Sequence, residues 1–113
     1  MNFQIDTSTG KSIGIATLQG RIDANNCSDL QKAFAQWLLN TAFIIFECSD
    51  LDFIDSTGLG TIVSCLRKAL ERNGELKLVK LGPKVSMIFE ITKARQLFSI
   101  YPDTAQAIHS FTV

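Results

Sequence analysis

Residues 53–60 bring chemically active and turn-forming side chains together in one short stretch. The order is Phe53, Ile54, Asp55, Ser56, Thr57, Gly58, Leu59 and Gly60. The stretch follows the most apolar run of the chain and opens its most regular amphipathic pattern, which is typical of a turn from a strand into a helix. A helix N-terminus leaves backbone N–H groups unpaired, so hydroxyls or carboxylates cap it and negative charge is favoured there. The residues alone therefore allow Ser56 to be a helix cap or a working hydroxyl, and the cap is the simpler interpretation.

Two other arrangements near this stretch point to phosphate chemistry, but neither is complete. Asp50 and Asp52 follow an apolar run as in an aspartate that accepts a phosphoryl group, yet the next residues do not continue that motif. The chain also lacks room for elements that would cover a substrate, so we interpret both acids as solvated loop residues. Gly58 and Gly60 have no third glycine at the required spacing and no Gly-Lys-Ser/Thr after them, so both nucleotide-binding fingerprints fail.

The remaining reactive residue types give no case for an enzyme. His109 is the only histidine, Ser56 does not lie in a nucleophile elbow, and no pair of carboxylates for acid–base work is identifiable. Cys27, Cys48 and Cys65 are odd in number and widely spaced, which favours buried reduced thiols over a disulfide framework or a zinc site. We expect no catalytic residues, no metal site and no cofactor.

The first half of the chain predicts a hairpin, a helix and a central strand. Strands are expected around Phe3 and over residues 13–18, with turn residues between them. Asn25 or Asn26 is placed to cap an amphipathic helix that ends near residue 40. Its inward side chains are expected to be Cys27, Leu30, Phe34, Trp37 and Leu38. Residues 43–46 form a continuous apolar run, which predicts a strand covered on both faces.

The second half continues to alternate helices with strands. A helix after residues 53–60 ends at Asn73-Gly74, and further helices start near Pro83 and Pro102. Between them a strand is expected where Leu76 and Leu78 alternate with Glu75 and Lys77. The inward side chains of these three helices are expected to be Leu59, Ile62, Val63, Leu66 and Leu70, then Val85, Ile88 and Ile91, then Ala105, Ile108 and Phe111. A short apolar piece contains Leu97, Phe98 and Ile100. This alternation predicts an α/β fold with one domain over residues 1–113, a mixed sheet of four to five strands and about four helices.

Composition narrows the class of partner. The 113 residues are 46% hydrophobic and 19% charged, as in a folded globular domain. Eleven basic and eleven acidic residues cancel, so nothing predicts nucleic acid or an anionic membrane as a partner. No secretion signal is visible, and no apolar run approaches the roughly 20 residues that a membrane-spanning helix needs. We expect a soluble cytoplasmic protein without membrane insertion.

The block Asp55-Ser56-Thr57-Gly58-Leu59-Gly60, followed by an amphipathic helix and Asn73-Gly74-Glu75-Leu76, resembles a STAS domain of the bacterial anti-sigma factor antagonist type. The resemblance covers nearly the whole chain. Gly20-Arg21-Ile22-Asp23 matches an earlier glycine-to-aspartate element, and Leu97-Phe98-Ser99-Ile100-Tyr101 with Asp103 and Ala107 matches the C-terminal end. The block around Ser56 is the specific part of the match.

The resemblance implies a regulatory switch in place of catalysis. In this family a serine kinase that is also the anti-sigma factor phosphorylates the hydroxyl residue after the aspartate, and the unphosphorylated antagonist binds that kinase. Carried over, Ser56 is the acceptor and Thr57 the second choice, and a metal-dependent serine/threonine phosphatase resets the protein. The docking surface is then expected to include Asp23, Asp55, Thr57, Gly58, Leu59 and Gly60.

One departure from the family pattern lies outside the switch. The family commonly has Thr-Gly-Leu where this chain has Thr92-Lys93-Ala94. Because glycine eases a left-handed helix end, Lys93 is expected to alter that helix end or the partner surface. Two alternatives stay open: a STAS scaffold or transporter-associated subunit that does not switch, and a small phosphotransfer or nucleotide-binding enzyme.

Overall fold

Five strands form one mixed sheet in the computed structural model, which describes residues 1–111. The strands are β1 (Asn2–Asp6), β2 (Ile13–Ile22), β3 (Phe43–Ile54), β4 (Glu75–Val79) and β5 (Ser99–Tyr101). They lie in chain order, with β1 antiparallel to β2 and every other neighbouring pair parallel. The predicted α/β fold and the predicted hairpin of β1 and β2 are confirmed.

Four α-helices and one 3-10 helix connect and cover the strands. They are α1 (Cys27–Trp37), α2 (Ser56–Glu71), α3 (Pro83–Ile91), the 3-10 helix Ala94–Leu97 and α4 (Thr104–Ser110). Connections between parallel strands are right-handed, so a sheet whose parallel strands follow one another in order places its crossover helices on one face. Helices α1, α2 and α3 accordingly share one hydrophobic core, and α4 packs on the other face. No helix within residues 1–111 is long and apolar enough to cross a membrane.

The central strand β3 is buried from both sides, as the sequence predicted. Ile44 and Phe46 belong to the large core under α1, α2 and α3, whereas Ile45 belongs to the smaller core under α4. All three side chains have no exposed surface. The large core also contains an aromatic cluster of Phe34, Trp37 and Phe46, in which each pair of rings meets edge to face.

The face of β4 under α4 buries a charged residue. Lys77 alternates with the core residues Leu76 and Leu78, yet its side chain is only 7% exposed. Its Nζ donates to Ser110 Oγ at 2.6 Å, lies 3.6 Å from Glu75 and sits 4.2 Å from the centre of the Phe111 ring. The alternation of Leu76 and Leu78 gave the correct faces of β4, but not the presence of a helix on the second face.

Strands β2 and β3 are longer than predicted. β2 continues past residue 18 to Ile22, and β3 continues past residue 46 to Ile54. Asp50 and Asp52 are therefore exposed residues of a strand and not of a loop. The two strands pair along this extension, with register shifts between Thr17 and Gln19 and between Gly20 and Arg21. Backbone pairing holds this polar segment in the sheet.

Several inward-facing assignments were also wrong. Leu70 and Ile91 are 52% and 73% exposed, whereas Ala69 and Phe89 are fully buried. Ile91 follows Phe89 by two residues, which at about 100° per residue turns it to the opposite side of α3. In α4 the buried residue is Ala107 and not Ala105, and the helix begins at Thr104 after its cap Asp103. Leu97 is also 57% exposed.

Candidate functional site

Strands β2 and β3 end side by side, and this edge of the sheet brings the two predicted aspartates together. Ile22 pairs with Ile54 as the last residue of each strand, so Asp23 and Asp55 follow at neighbouring positions. The Asp55 amide donates to the Ile22 carbonyl at 3.3 Å, and the Ala24 amide donates to Asp55 Oδ2 at 3.4 Å. In open α/β sheets, ligands and partners bind at this carboxyl edge of parallel strands.

Asp55, and not Ser56, caps helix α2. Asp55 Oδ1 accepts a hydrogen bond from the Gly58 amide at 2.7 Å, and the Asp55 carbonyl accepts one from Leu59 at 2.9 Å. Ser56 is the first residue of the helix and is exposed. The cap interpretation of Ser56 was therefore wrong, because the carboxylate of the preceding residue has that role. The Ser56 hydroxyl is left facing solvent at the positive end of a sixteen-residue helix.

The four residues after Ser56 divide into exposed and buried positions. Thr57 and Gly60 are exposed, whereas Gly58 and Leu59 are buried. A Cβ on Gly58 would overlap the carbonyl oxygen of Ile22, so glycine lets the first turn of α2 sit directly on the end of β2. A Cβ on Gly60 would meet nothing within 4 Å. Gly58 thus has an internal packing role, and a contact between Gly58 and a partner remains a prediction.

Arg21, near the end of β2, lies at the same edge of the sheet. Arg21 Nε lies 2.8 Å from Asp23 Oδ2, and its guanidinium lies 4.8 Å from the centre of the Phe53 ring. The Asn26 side chain accepts from the Asp23 amide and donates to the Arg21 carbonyl, which fixes the loop after β2. Asn26 thus precedes α1 but makes no side-chain cap. The only sequence signal for Arg21 was its position two residues before Asp23.

A groove of about 480 Å³ starts at Ser56 and runs along α2. One wall is α2, and the other is the end of α3 with the 3-10 helix; we call this the α2 groove. Its lining residues are Ser56, Leu59, Gly60, Val63, Arg67, Thr92, Lys93, Ala94, Gln96 and Leu97. Lys93 has φ 61°, the left-handed conformation expected of the glycine at this place in the family pattern. The structure therefore places Lys93, the residue that differs from the family pattern, in the same groove as Ser56.

The other chemically active residues lie apart from this edge. His109 is on α4, on the opposite face of the sheet from α2, so the fold does not pair it with Ser56. Cys48 and Cys65 are buried free thiols, as predicted, and burial raises the pKa of each to about 12. Cys27 is only half-buried, at the start of α1, so its predicted burial was wrong. Within residues 1–111, no cluster of three or more His, Cys, Asp or Glu is arranged to hold a metal ion.

This arrangement is suited to binding a protein and to changing charge. It presents the exposed Ser56 next to Asp55, with Asp23 after the neighbouring strand, and a groove that contains basic residues. Backbone amides hold both carboxylates. A phosphate on the hydroxyl would add about −1.5 to −2 charges beside Asp55.

Comparison with known proteins gives a consistent result. The family model for the STAS domain matches residues 4–107. The chain is 25% identical over 100 residues to an anti-sigma-B factor antagonist of Bacillus subtilis, covering 88% of this chain and 92% of that protein. A Thermotoga maritima protein proposed to be an anti-sigma factor antagonist superposes with a TM-score of 0.86 at 23% identity, covering 96% and 92% of the two chains. The phosphorylated form of the Bacillus cell fate determinant SpoIIAA has a TM-score of 0.68 at 19% identity, covering 97% and 99%.

Proposed function

The chain belongs to the STAS domain family, among the bacterial anti-sigma factor antagonists, and we propose that it is a cytoplasmic protein-binding module controlled by phosphorylation of Ser56. The unphosphorylated form binds a serine kinase that acts as an anti-sigma factor or as a similar regulator. Phosphorylation releases the kinase, and a metal-dependent serine/threonine phosphatase restores binding. The relatives are regulatory binding proteins, which agrees with a role other than catalysis.

The position of Ser56 carries this proposal. Asp55 caps α2, so the Ser56 hydroxyl is exposed and available to a kinase. The helix dipole and the first-turn amides favour negative charge at this position, so a phosphate is compatible with the fold. A relative of the same fold, SpoIIAA, has been solved in a phosphorylated form.

The same position explains how a small modification can control binding. A phosphate on Ser56 would stand directly beside Asp55 and one strand away from Asp23, at the edge where a partner would dock. Crowded negative charge is costly to desolvate in an interface. Since a loss of about 1.4 kcal/mol weakens binding tenfold, the added charge can release a partner without a change of fold.

The first test concerns the site of modification. The serine kinase that co-purifies with the unphosphorylated chain from its own cells is mixed with the chain and ATP, and intact mass is measured. We expect one added phosphate on the wild type, none on Ser56→Ala, and one on the matched control Thr57→Ala. A phosphate that persists in Ser56→Ala would place the site elsewhere.

The second test concerns the switch. Ser56→Asp should weaken kinase binding at least about tenfold while the circular dichroism spectrum stays unchanged. Thr104→Asp, which adds the same charge at the first residue of α4 on the other face of the sheet, is the control and should bind like the wild type. Equal binding by Ser56→Asp and the wild type would favour the alternative of a scaffold that does not switch.

A further inference from the structure

The α2 groove has charge of one sign only. Arg67 and Lys93 line it, and within residues 1–111 no aspartate or glutamate does. Leu59, Val63 and Leu97 line it with apolar side chains, and Leu97 is 57% exposed. Charge complementarity therefore favours a partner segment that is apolar where it enters the groove and acidic along its edges.

Lys93 adds to this charge in an unfavourable backbone conformation. Its φ of 61° lies in the left-handed region, which glycine adopts without the steric penalty of a Cβ. Its amide donates to the Glu90 carbonyl at 3.1 Å, so the conformation belongs to the turn that ends α3. Fold stability favours glycine at this position. The lysine thus supplies a charge that the turn itself does not need.

The groove is long enough to hold a segment of a partner. Ser56, Gly60, Val63 and Arg67 lie on successive turns of one face of α2. Eleven residues of α-helix separate the first from the last, which corresponds to roughly 16 Å. Gly60 has open space where a side chain would stand, so the middle of the groove is accessible. A partner segment of about three helical turns would fit this length.

We propose that the α2 groove docks an acidic, amphipathic segment of the kinase that binds this chain, and that Lys93 is a residue that selects this kinase. The inference rests on the proposed function and names the partner chemistry of the same site. Because Ser56 lines one end of the groove, its phosphate would repel the acidic segment directly. Partner choice and phosphorylation then act through the same electrostatic surface, without movement of the backbone.

The experiment measures the dissociation constant and salt dependence of the complex between the full chain and the co-purified kinase. Lys93→Gly is compared with Lys80→Gly, because Lys80 is also left-handed, with φ 58°, but lines a different depression with Leu81 and Tyr101. Lys93→Gly should weaken binding about tenfold and reduce its salt dependence, whereas Lys80→Gly should stay within about twofold of the wild type. Both should raise the melting temperature by about 2–5 °C, since glycine relieves the left-handed backbone, so misfolding cannot explain the loss.

Each other result overturns the proposal in a distinct way. If Lys93→Gly binds like the wild type while Ser56→Asp loses binding, the switch stands and the docking of an acidic segment is wrong. If both lysine variants weaken binding equally, overall charge is responsible and the α2 groove is not the docking site. If Ser56→Asp also binds like the wild type, the proposed function falls together with this inference. Charge reversal in Lys93→Glu should weaken binding further than Lys93→Gly, and the absence of that trend also contradicts the proposal.

Discussion

At the scale of single residues, Asp55 is the helix cap and Ser56 has the exposed hydroxyl. From the sequence alone, Ser56 could have had either role. The Asp55 carboxylate is used twice, by the Gly58 amide within α2 and by the Ala24 amide of the loop after β2. Ser56 is thereby relieved of capping and faces solvent. Sequence composition could not assign the cap, because aspartate and serine are about equally good N-cap residues and the choice depends on where the backbone turns into the helix.

The cap can be tested by removing its carboxylate. Asp55→Ala should lower the free energy of unfolding by about 1–2 kcal/mol, because the Gly58 amide loses its acceptor. Asp55→Asn keeps an acceptor oxygen and should lose much less. Urea unfolding measures both, with Asp103→Ala at the equivalent cap of α4 as a comparison. An Asp55→Ala variant as stable as the wild type would show that Ser56 can take over the cap.

The two buried thiols give a second test, in which pH changes stability. Burial raises the pKa of Cys48 and Cys65 to about 12 in the folded state. Their unfolded-state pKa is about 8.5, so the unfolded chain ionises first and the fold should lose stability as pH rises from about 8 towards 12. Well below the unfolded-state pKa, at about pH 7 and lower, this contribution is constant. Unfolding of wild type and Cys65→Ala, measured across that range, should give a flatter pH dependence for the variant.

Labelling provides the control for the thiols. A thiol reagent at pH 8 should modify the half-buried Cys27 of the native protein and leave Cys48 and Cys65 unmodified until the chain is unfolded. Cys27→Ser should then abolish native labelling. Rapid native labelling of either buried thiol would contradict the packing described for β3 and α2.

At the scale of elements, two glycines two residues apart in α2 have opposite surroundings. Gly58 rests on the Ile22 carbonyl, and Gly60 faces open space. Gly58→Ala should destabilise the fold by about 1–3 kcal/mol, because the new methyl group overlaps backbone atoms of β2. Gly60→Ala should stabilise it by roughly 0.5–1 kcal/mol through higher helix propensity. The urea unfolding midpoints of the two variants measure these changes. Similar shifts in both would mean that α2 does not pack on β2 as described.

Periodicity predicted the helices and strands. It did not predict where they end, or which side chains are buried on the face of the sheet under α4. Alternation at Leu76 and Leu78 fixes which side of β4 enters the large core, but burial of Lys77 depends on α4, which comes later in the chain. The strand residues Asp50 and Asp52 have the composition of a loop, because pairing with β2 and not side-chain burial keeps them in the sheet. The α2 groove was invisible in sequence, since its two walls come from segments about 30 residues apart.

At the scale of the whole molecule, the two faces of the sheet are unequal. Three helices cover one face over a large core, whereas α4 alone covers the other through Ala107 and Phe111. The Phe111 ring meets Phe43 edge to face with 5.7 Å between ring centres, and the Lys11 side chain donates to the Phe111 carbonyl at 3.0 Å. Elements with few buried contacts are expected to open independently of the rest.

This asymmetry predicts the effect of removing one ring. Phe111→Ala should cost roughly 3 kcal/mol and speed amide hydrogen exchange in α4 and β5. Exchange in α2 and at residues 44–46 should stay close to the global limit. Phe34→Ala, which removes the same ring from the large core, is the matched control and should speed exchange throughout. Equal acceleration in α2 by both variants would show that the two cores open as one unit.

The close contact between Gly58 and the Ile22 carbonyl also affects the kinetics of the proposed switch. The start of α2 is fastened to the end of β2 by this contact and by the bond from the Asp55 amide. Under the proposed switch, the phosphorylated and unphosphorylated forms therefore share one backbone and no slow rearrangement separates them. The binding affinity of such a protein depends on its present phosphorylation state and not on its earlier one. Its response should follow the same curve when kinase activity rises and when it falls, without hysteresis.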